Sequence, residues 1–170
     1  MGKIAIGVLL AAMSASAWGE TGTAVVKGTA AGSQIGGTVV FQDTKGGLKV
    51  TARLSGLTPG PHAFHIHQFG DCADNGMASG AHFNPKRSPH GFLPKDGMKK
   101  AHAGDMGNIT AMDDGTAALD ITLPHVSLSG GKFAVAGRAV IVHEKTDDFS
   151  QPAGNAGGRA GCGVIIITGE

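Results

Sequence analysis

Apolar and polar residues alternate in short runs along most of this chain, and clusters of Gly, Asn, Asp and Pro separate the runs. A period of two is the signature of a strand with one face buried. It predicts strands over Thr23–Thr29, Gly37–Asp43, Leu48–Leu54, His62–Gln68, Thr116–Thr122, Phe133–Ala136, Arg138–His143 and Gly163–Thr168. Beyond the N-terminal apolar run, no segment sustains a helical period over three turns. Eight or so short strands with turn signals between them predict an all-β, antiparallel barrel or flattened sandwich. Two intervals break the rhythm, Gly70 to Gly107 and Glu144 to Gly161. Long irregular segments in a compact domain are usually functional or disordered. Both begin beside a histidine-bearing strand end and have a cysteine at or near one boundary, so they read as two long tethered loops that carry function.

The N-terminus has a different pattern. One basic residue, Lys3, precedes an apolar run from Ile4 to Met13, and Ala15 and Ala17 then form an A-x-A cleavage site. This is the three-part order of a secretory signal peptide, with an apolar run well short of the ~20 residues that cross a bilayer. Residues 1–19 are therefore expected to be a cleaved signal and 20–170 a single exported domain, periplasmic or secreted. Lys3 is the one charged residue in that segment, so the 14 basic and 13 acidic residues of the whole chain become balanced on its removal. A neutral domain argues against nucleic acid or an anionic membrane as partner. Export also sets the redox context. The chain has two cysteines, Cys72 and Cys162, and in an oxidising compartment they are expected to pair. Closing a loop of that length stabilises by about 4–5 kcal/mol in the chain-entropy model.

Candidate chemistry is concentrated in the histidines. In His62-Ala-Phe-His65-Ile-His67, strand alternation puts His65 and His67 on one face and Phe64 and Ile66 on the other. Two imidazoles about 7 Å apart on one face can chelate a metal ion. His62 has the parity of the core residues and reads as a structural, hydrogen-bonded histidine. His82 and His90 flank Phe-Asn-Pro-Lys-Arg-Ser-Pro, His102 precedes Asp105 by three residues, and His143 ends a strongly apolar strand. His125, in Leu-Pro-His-Val-Ser, reads as a surface residue. Three histidines with an aspartate suit a closed tetrahedral zinc site, and four imidazoles suit copper. Seven candidate ligands supply four to each metal only if one imidazole is shared, and spacing alone does not say which.

The stretches Ala63–Ala73, Gly80–Gly91, His102–Asn108, Val142–Asp148 and Gly154–Ile165 together resemble the copper/zinc superoxide dismutase family, in family order. The resemblance spans nearly all of the chain after the signal. It implies an eight-stranded Greek-key β-barrel with both metals outside it, beneath the two loops. Position by position it implies copper ligands His65, His67, His82 and His143. It implies zinc ligands His82, His90, His102 and Asp105, with His82 as bridge, one copper and one zinc per subunit. Arg159 matches the arginine that positions the anionic substrate, and Asp147 the carboxylate linking a copper-side histidine to a zinc-side one. His82 and Arg159 are then the catalytic residues, Cys72 and Cys162 the disulfide, and superoxide the substrate.

Three departures qualify that pattern. Cys72 follows His67 by five residues, as in exported bacterial members rather than animal ones. Phe92-Leu93 lengthen the interval between His90 and His102. The segment from His143 to Arg159 lacks the charged run that guides substrate in animal members. The resemblance allows a homodimer without specifying its contact face. The rival reading is a non-catalytic copper/zinc-binding or copper-carrier module of the same fold, which should lack a copper ligand or Arg159. Every one of those positions is filled here.

Overall fold

A computed structural model describes residues 19–169, so the predicted signal lies outside the described residues except for Gly19. The strands are β1 (Thr21–Gly28), β2 (Gly36–Thr44), β3 (Gly47–Ser55), β4 (Gly60–His67), β5 (Asp105–Ala111), β6 (Ala117–Leu123), β7 (Ala139–His143), β8 (Arg159–Val164) and β9 (Ile166–Gly169). All their pairings are antiparallel. The order β2-β3-β6-β5-β4-β7-β8-β1 closes on itself because β1 also pairs with β2. β9 continues β8 along β1 after a break at Ile165, whose side chain is buried and whose N–H donates to Arg138 O at 2.8 Å. Nine segments therefore make eight staves in a ring closed between β1 and β2, with β5 and β6 joined through the single pair Ala111–Ala117 and β9 paired to β1.

Alternation fills the inside. β3 turns Leu48, Val50, Ala52 and Leu54 inward, and β1 turns Ala24 and Val26 inward while Val25 faces out. These join Phe41, Phe64, Ile66, Ile109, Leu123 and Leu128 in one apolar cluster. Six of the eight expected strands match with bounds shifted by up to two residues, and the expected Gly163–Thr168 spans parts of β8 and β9. Two details differ from the sequence reading. Phe133–Ala136 is not a strand: Ala134 makes a single parallel bridge to Ser127, and Gly137 at φ 77° turns the chain immediately afterwards. β5, by contrast, lies where a loop was expected to Gly107. Asp105, Gly107 and Asn108 conceal its alternation, since Asp105 belongs to the polar site and Gly107 sits at φ 75° beside the register shift between Ala63 and His65.

The loop between β4 and β5 is anchored to β4 by the main chain. Ile66 N–H donates to Gly104 O at 2.9 Å, Phe83 N–H donates to Ile66 O at 2.8 Å, and Gly104 N–H donates to Phe83 O at 3.0 Å. A Cβ at Gly104 would overlap the Ile66 carbonyl, so glycine is needed for this approach. The added Phe92-Leu93 opens a one-turn helix, α1 (Leu93–Asp96), which packs on β5 and β6 and buries Leu93 completely. Cys72 and Cys162 form the disulfide, tying this loop to β8. No helix among the described residues is long and apolar enough to cross a membrane.

Candidate metal centre

β4 is buried on both faces from His62 onward: Phe64 and Ile66 face the core, while His65 and His67 lie under the loops. The anchoring of Phe83 to Ile66 brings the neighbouring His82 beside them, and His67 and His82 form an isolated antiparallel bridge. β7 pairs with β4 and delivers His143 from its last position. The structure thus gathers His65, His67, His82 and His143, with donor atoms all within 4.8 Å of one another. It gathers His82, His90, His102 and Asp105 within the same limit, and every member of both groups is buried. His82 is common to the two.

The hydrogen bonds show which ring nitrogens are free. His65 Nε2–H donates to Asp147 Oδ2 at 2.8 Å, which leaves its Nδ1 as a lone pair that is fully buried and has no partner. A neutral imidazole cannot protonate both nitrogens, so that lone pair calls for an electrophile. His67 Nδ1–H donates to Gly80 O at 2.9 Å and its Nε2 lies 3.3 Å from His143 Nε2. On the other side, His82 Nδ1 is 3.0 Å from Asp105 Oδ1 and 3.3 Å from His102 Nδ1, so His82 Nε2 is left for the first group. His90 Nδ1 is 2.9 Å from Asp105 Oδ2. Converging lone pairs from imidazoles and one carboxylate form a donor set suited to borderline cations, all-nitrogen in one group and three nitrogens with one oxygen in the other.

Electrostatics agree with that division. Burial holds His65, His67 and His143 below their usual range, at about 4, 2 and 3. These rings stay neutral, as ligands must. Burial alone would also lower His90, but Asp105 and Asp147 outweigh it and raise it to about 9. Burial would raise Asp105, yet bonds from His102, His82 and His90 hold it well below the carboxylate range. The Asp105 carboxylate of the second group is therefore held ionised among the three rings.

Asp147 links the two groups, with Oδ2 on His65 and Oδ1 on His90 Nε2 at 2.9 Å. His65, His90 and Asp147 also lie within 4.8 Å of one another, but both ring atoms concerned carry the protons that Asp147 accepts. That triad is a hydrogen-bonded brace rather than a cage. His62 stands apart as a structural residue, 2.8 Å from His143 O through Nδ1 and 2.8 Å from Thr58 O through Nε2. His125 is exposed. Sequence reasoning missed the second tier of supports. Asn108 binds Asp147 through both its N–H and its carbonyl, and Gln151 binds His90 N–H and O in the same way. Gly154 lies so close that a Cβ there would overlap the Asp147 carboxylate, and it adopts φ 73°. The one available hint was that Asn108 falls within the motif His102–Asn108.

A cavity of about 710 Å³ opens over the first group, lined by His67, His82, His143 and Arg159. Among the described residues of the lining Arg159 is the only lysine or arginine, so an anion entering there meets its guanidinium beside the neutral rings of His67 and His143.

Comparison with known proteins agrees with this geometry. The sequence model of the family described as "Copper/zinc superoxide dismutase (SODC)" matches residues 35–165. The chain is 40% identical over 159 residues to the extracellular superoxide dismutase [Cu-Zn] of Brugia pahangi, covering 88% of this chain and 78% of that protein. A crystal structure of the clock protein EA4 superposes with a TM-score of 0.78 at 35% identity, covering 88% of this chain and 96% of the other. The match over most of the barrel and both loops, with a donor set fit for two metals, makes the chain a member of the copper/zinc superoxide dismutase family.

Proposed function

We propose that His65, His67, His82 and His143 hold copper and that His82, His90, His102 and Asp105 hold zinc in a working superoxide dismutase. The single observation that carries this reading is that His82 belongs to both donor groups, facing Asp105 and His102 with Nδ1. Copper when bound supplies a one-electron couple, and zinc supplies fixed positive charge. The net change is two superoxide ions and two protons to one dioxygen and one hydrogen peroxide.

The chain's own residues bind the anion and manage the proton. Arg159 attracts superoxide into the cavity and orients it electrostatically. His82 Nε2 faces the first group and is the atom that holds and releases a proton during turnover. Asp147 keeps the rings of His65 and His90 in their tautomers and orientations. The filled set of ligands with Arg159 favours the enzyme over a metal-binding module. Metal content measured with dismutation, before and after copper removal, tests this. One copper and one zinc per chain with copper-dependent activity is the expected result, and a fully loaded protein that does not dismutate refutes it.

Arg159→Ala is expected to slow turnover by on the order of 10- to 100-fold with both metals retained. A full-rate variant would remove Arg159 from the mechanism. Cleavage after residues 1–19, with the domain released to the periplasm or beyond the cell, belongs to the same reading, and N-terminal sequencing of the exported protein locates the cut. Val25 and Ile166, 60% and 57% exposed, share an outward face across the β1–β9 pairing and offer a surface for a homodimer. Sedimentation at twice the chain mass is expected, and a monomer excludes the pairing.

A further inference from the structure

The Arg159 guanidinium is not free in its cavity. Nη1 donates to Gly76 O and, at 3.0 Å, to Ser79 Oγ, while Nη2 donates to Gly80 O at 2.6 Å. All three acceptors come from one tight turn around the 3-10 segment Met77–Ser79. A planar guanidinium is well matched to acceptors arranged in this way. Ser79 is the only side chain among them. It has no exposed surface, and its hydroxyl donates to Gly76 O at 2.9 Å, which turns its lone pairs toward Arg159. Gly80 O also accepts from His67 Nδ1 at 2.9 Å, so this turn sets the guanidinium against a ring of the first metal group. Among the described residues three of the five N–H groups of Arg159 are occupied, and the residue lines the cavity, where the other two can serve an anion.

We propose that Ser79 is a positioning residue for Arg159: its buried hydroxyl completes the clamp that aims the guanidinium at the anion site. This deepens the reading of Arg159 given above and rests on that reading for its kinetic arm. The serine lies 80 residues from the arginine, and its hydroxyl hydrogen-bonds Gly76 O and Arg159 rather than a member of either metal group. Loss of its oxygen leaves Nη1 with Gly76 O alone and lets the guanidinium swing.

Two kinds of readout test the proposal. In metal-free protein, the rate at which phenylglyoxal modifies Arg159, followed by peptide mass, is expected to rise several-fold in Ser79→Ala. The isosteric pair Ser79→Thr and Ser79→Val separates the hydroxyl from shape and from folding: Thr should react as wild type and Val as Ala. In the loaded enzyme, Ser79→Ala should weaken inhibition by inorganic phosphate and lower the dismutation rate by about three- to tenfold. Thr should restore both, and Ser79→Ala added to Arg159→Ala should cost nothing further. Equal modification rates in Thr and Val variants would overturn the proposal, as would additive losses in the double variant. If the loaded wild type does not dismutate, the functional reading fails, while the modification arm still judges the Ser79–Arg159 link.

Discussion

Asp147 shows how much a single carboxylate organises here. Its two oxygens hold His65 and His90, and Asn108 fixes its main chain from both sides. Asp147→Ala is expected to leave the barrel folded and to weaken copper retention by roughly 10- to 100-fold, since two rings lose their orienting partner. Copper occupancy after dialysis against a mild chelator measures this, and unchanged occupancy refutes it. The titrating rings give a second expectation, for the metal-free protein. His65, His67 and His143 protonate near pH 6.5 when unfolded but only at about 4, 2 and 3 when folded. Their stabilisation is complete above pH 6.5 and is lost as pH falls through those values. His90 has the opposite sign: raised to about 9, its contribution is complete below pH 6.5 and is lost as pH rises through 9. Thermal unfolding against pH should therefore show a maximum near neutrality with the steeper fall on the acid side. A flat profile from pH 7 to 4 contradicts it. At this scale the alternation within β4 was legible in the sequence, because parity is local: it separated His62 from His65 and His67. Ser79 and Asn108 were not, because their partners lie 80 and 39 residues away.

Strands with clean alternation, such as β3, could be read to within a residue. Where a strand serves the polar site, the reading failed, as at β5. Where an apolar run serves the core without pairing, it failed in the other direction, as at Phe133–Ala136, whose Val135 is fully buried. Periodicity reports burial, and burial is not pairing. The added Phe92-Leu93 is another case. The sequence marked it as a lengthened loop, but the structure makes it a one-turn helix that inserts Leu93 into the core between the loop and the barrel. Leu93→Ala is expected to destabilise the metal-free protein by about 2–5 kcal/mol through the cavity it leaves. A denaturation midpoint equal to wild type would show that the helix is only a surface feature.

The whole molecule is a closed ring of staves with two metal-gathering loops outside it, and the loop between β4 and β5 is held by the Cys72–Cys162 bond to β8. Replacing both cysteines by serine should lower stability by up to about 4–5 kcal/mol, since the unfolded chain regains the freedom of a loop with 90 residues of separation. Urea midpoints for the metal-free forms measure this, and equal midpoints would mean that the staple adds nothing. From its own order of residues this chain determined an all-β domain, two functional loops, the paired cysteines and the residue types of a two-metal site, because alternation, turn chemistry and ligand chemistry are written in neighbouring positions. The family resemblance implied His82 as the shared residue and Asp147 as the link, but residue spacing did not single them out. The tertiary structure puts His82 in both donor groups, sets Asp147 between His65 and His90, and alone decided that Ser79 meets Arg159. Those relations depend on the closure of the ring and the docking of its loops, which bring side chains distant in sequence within hydrogen-bond reach, and local patterns carry no record of such distances.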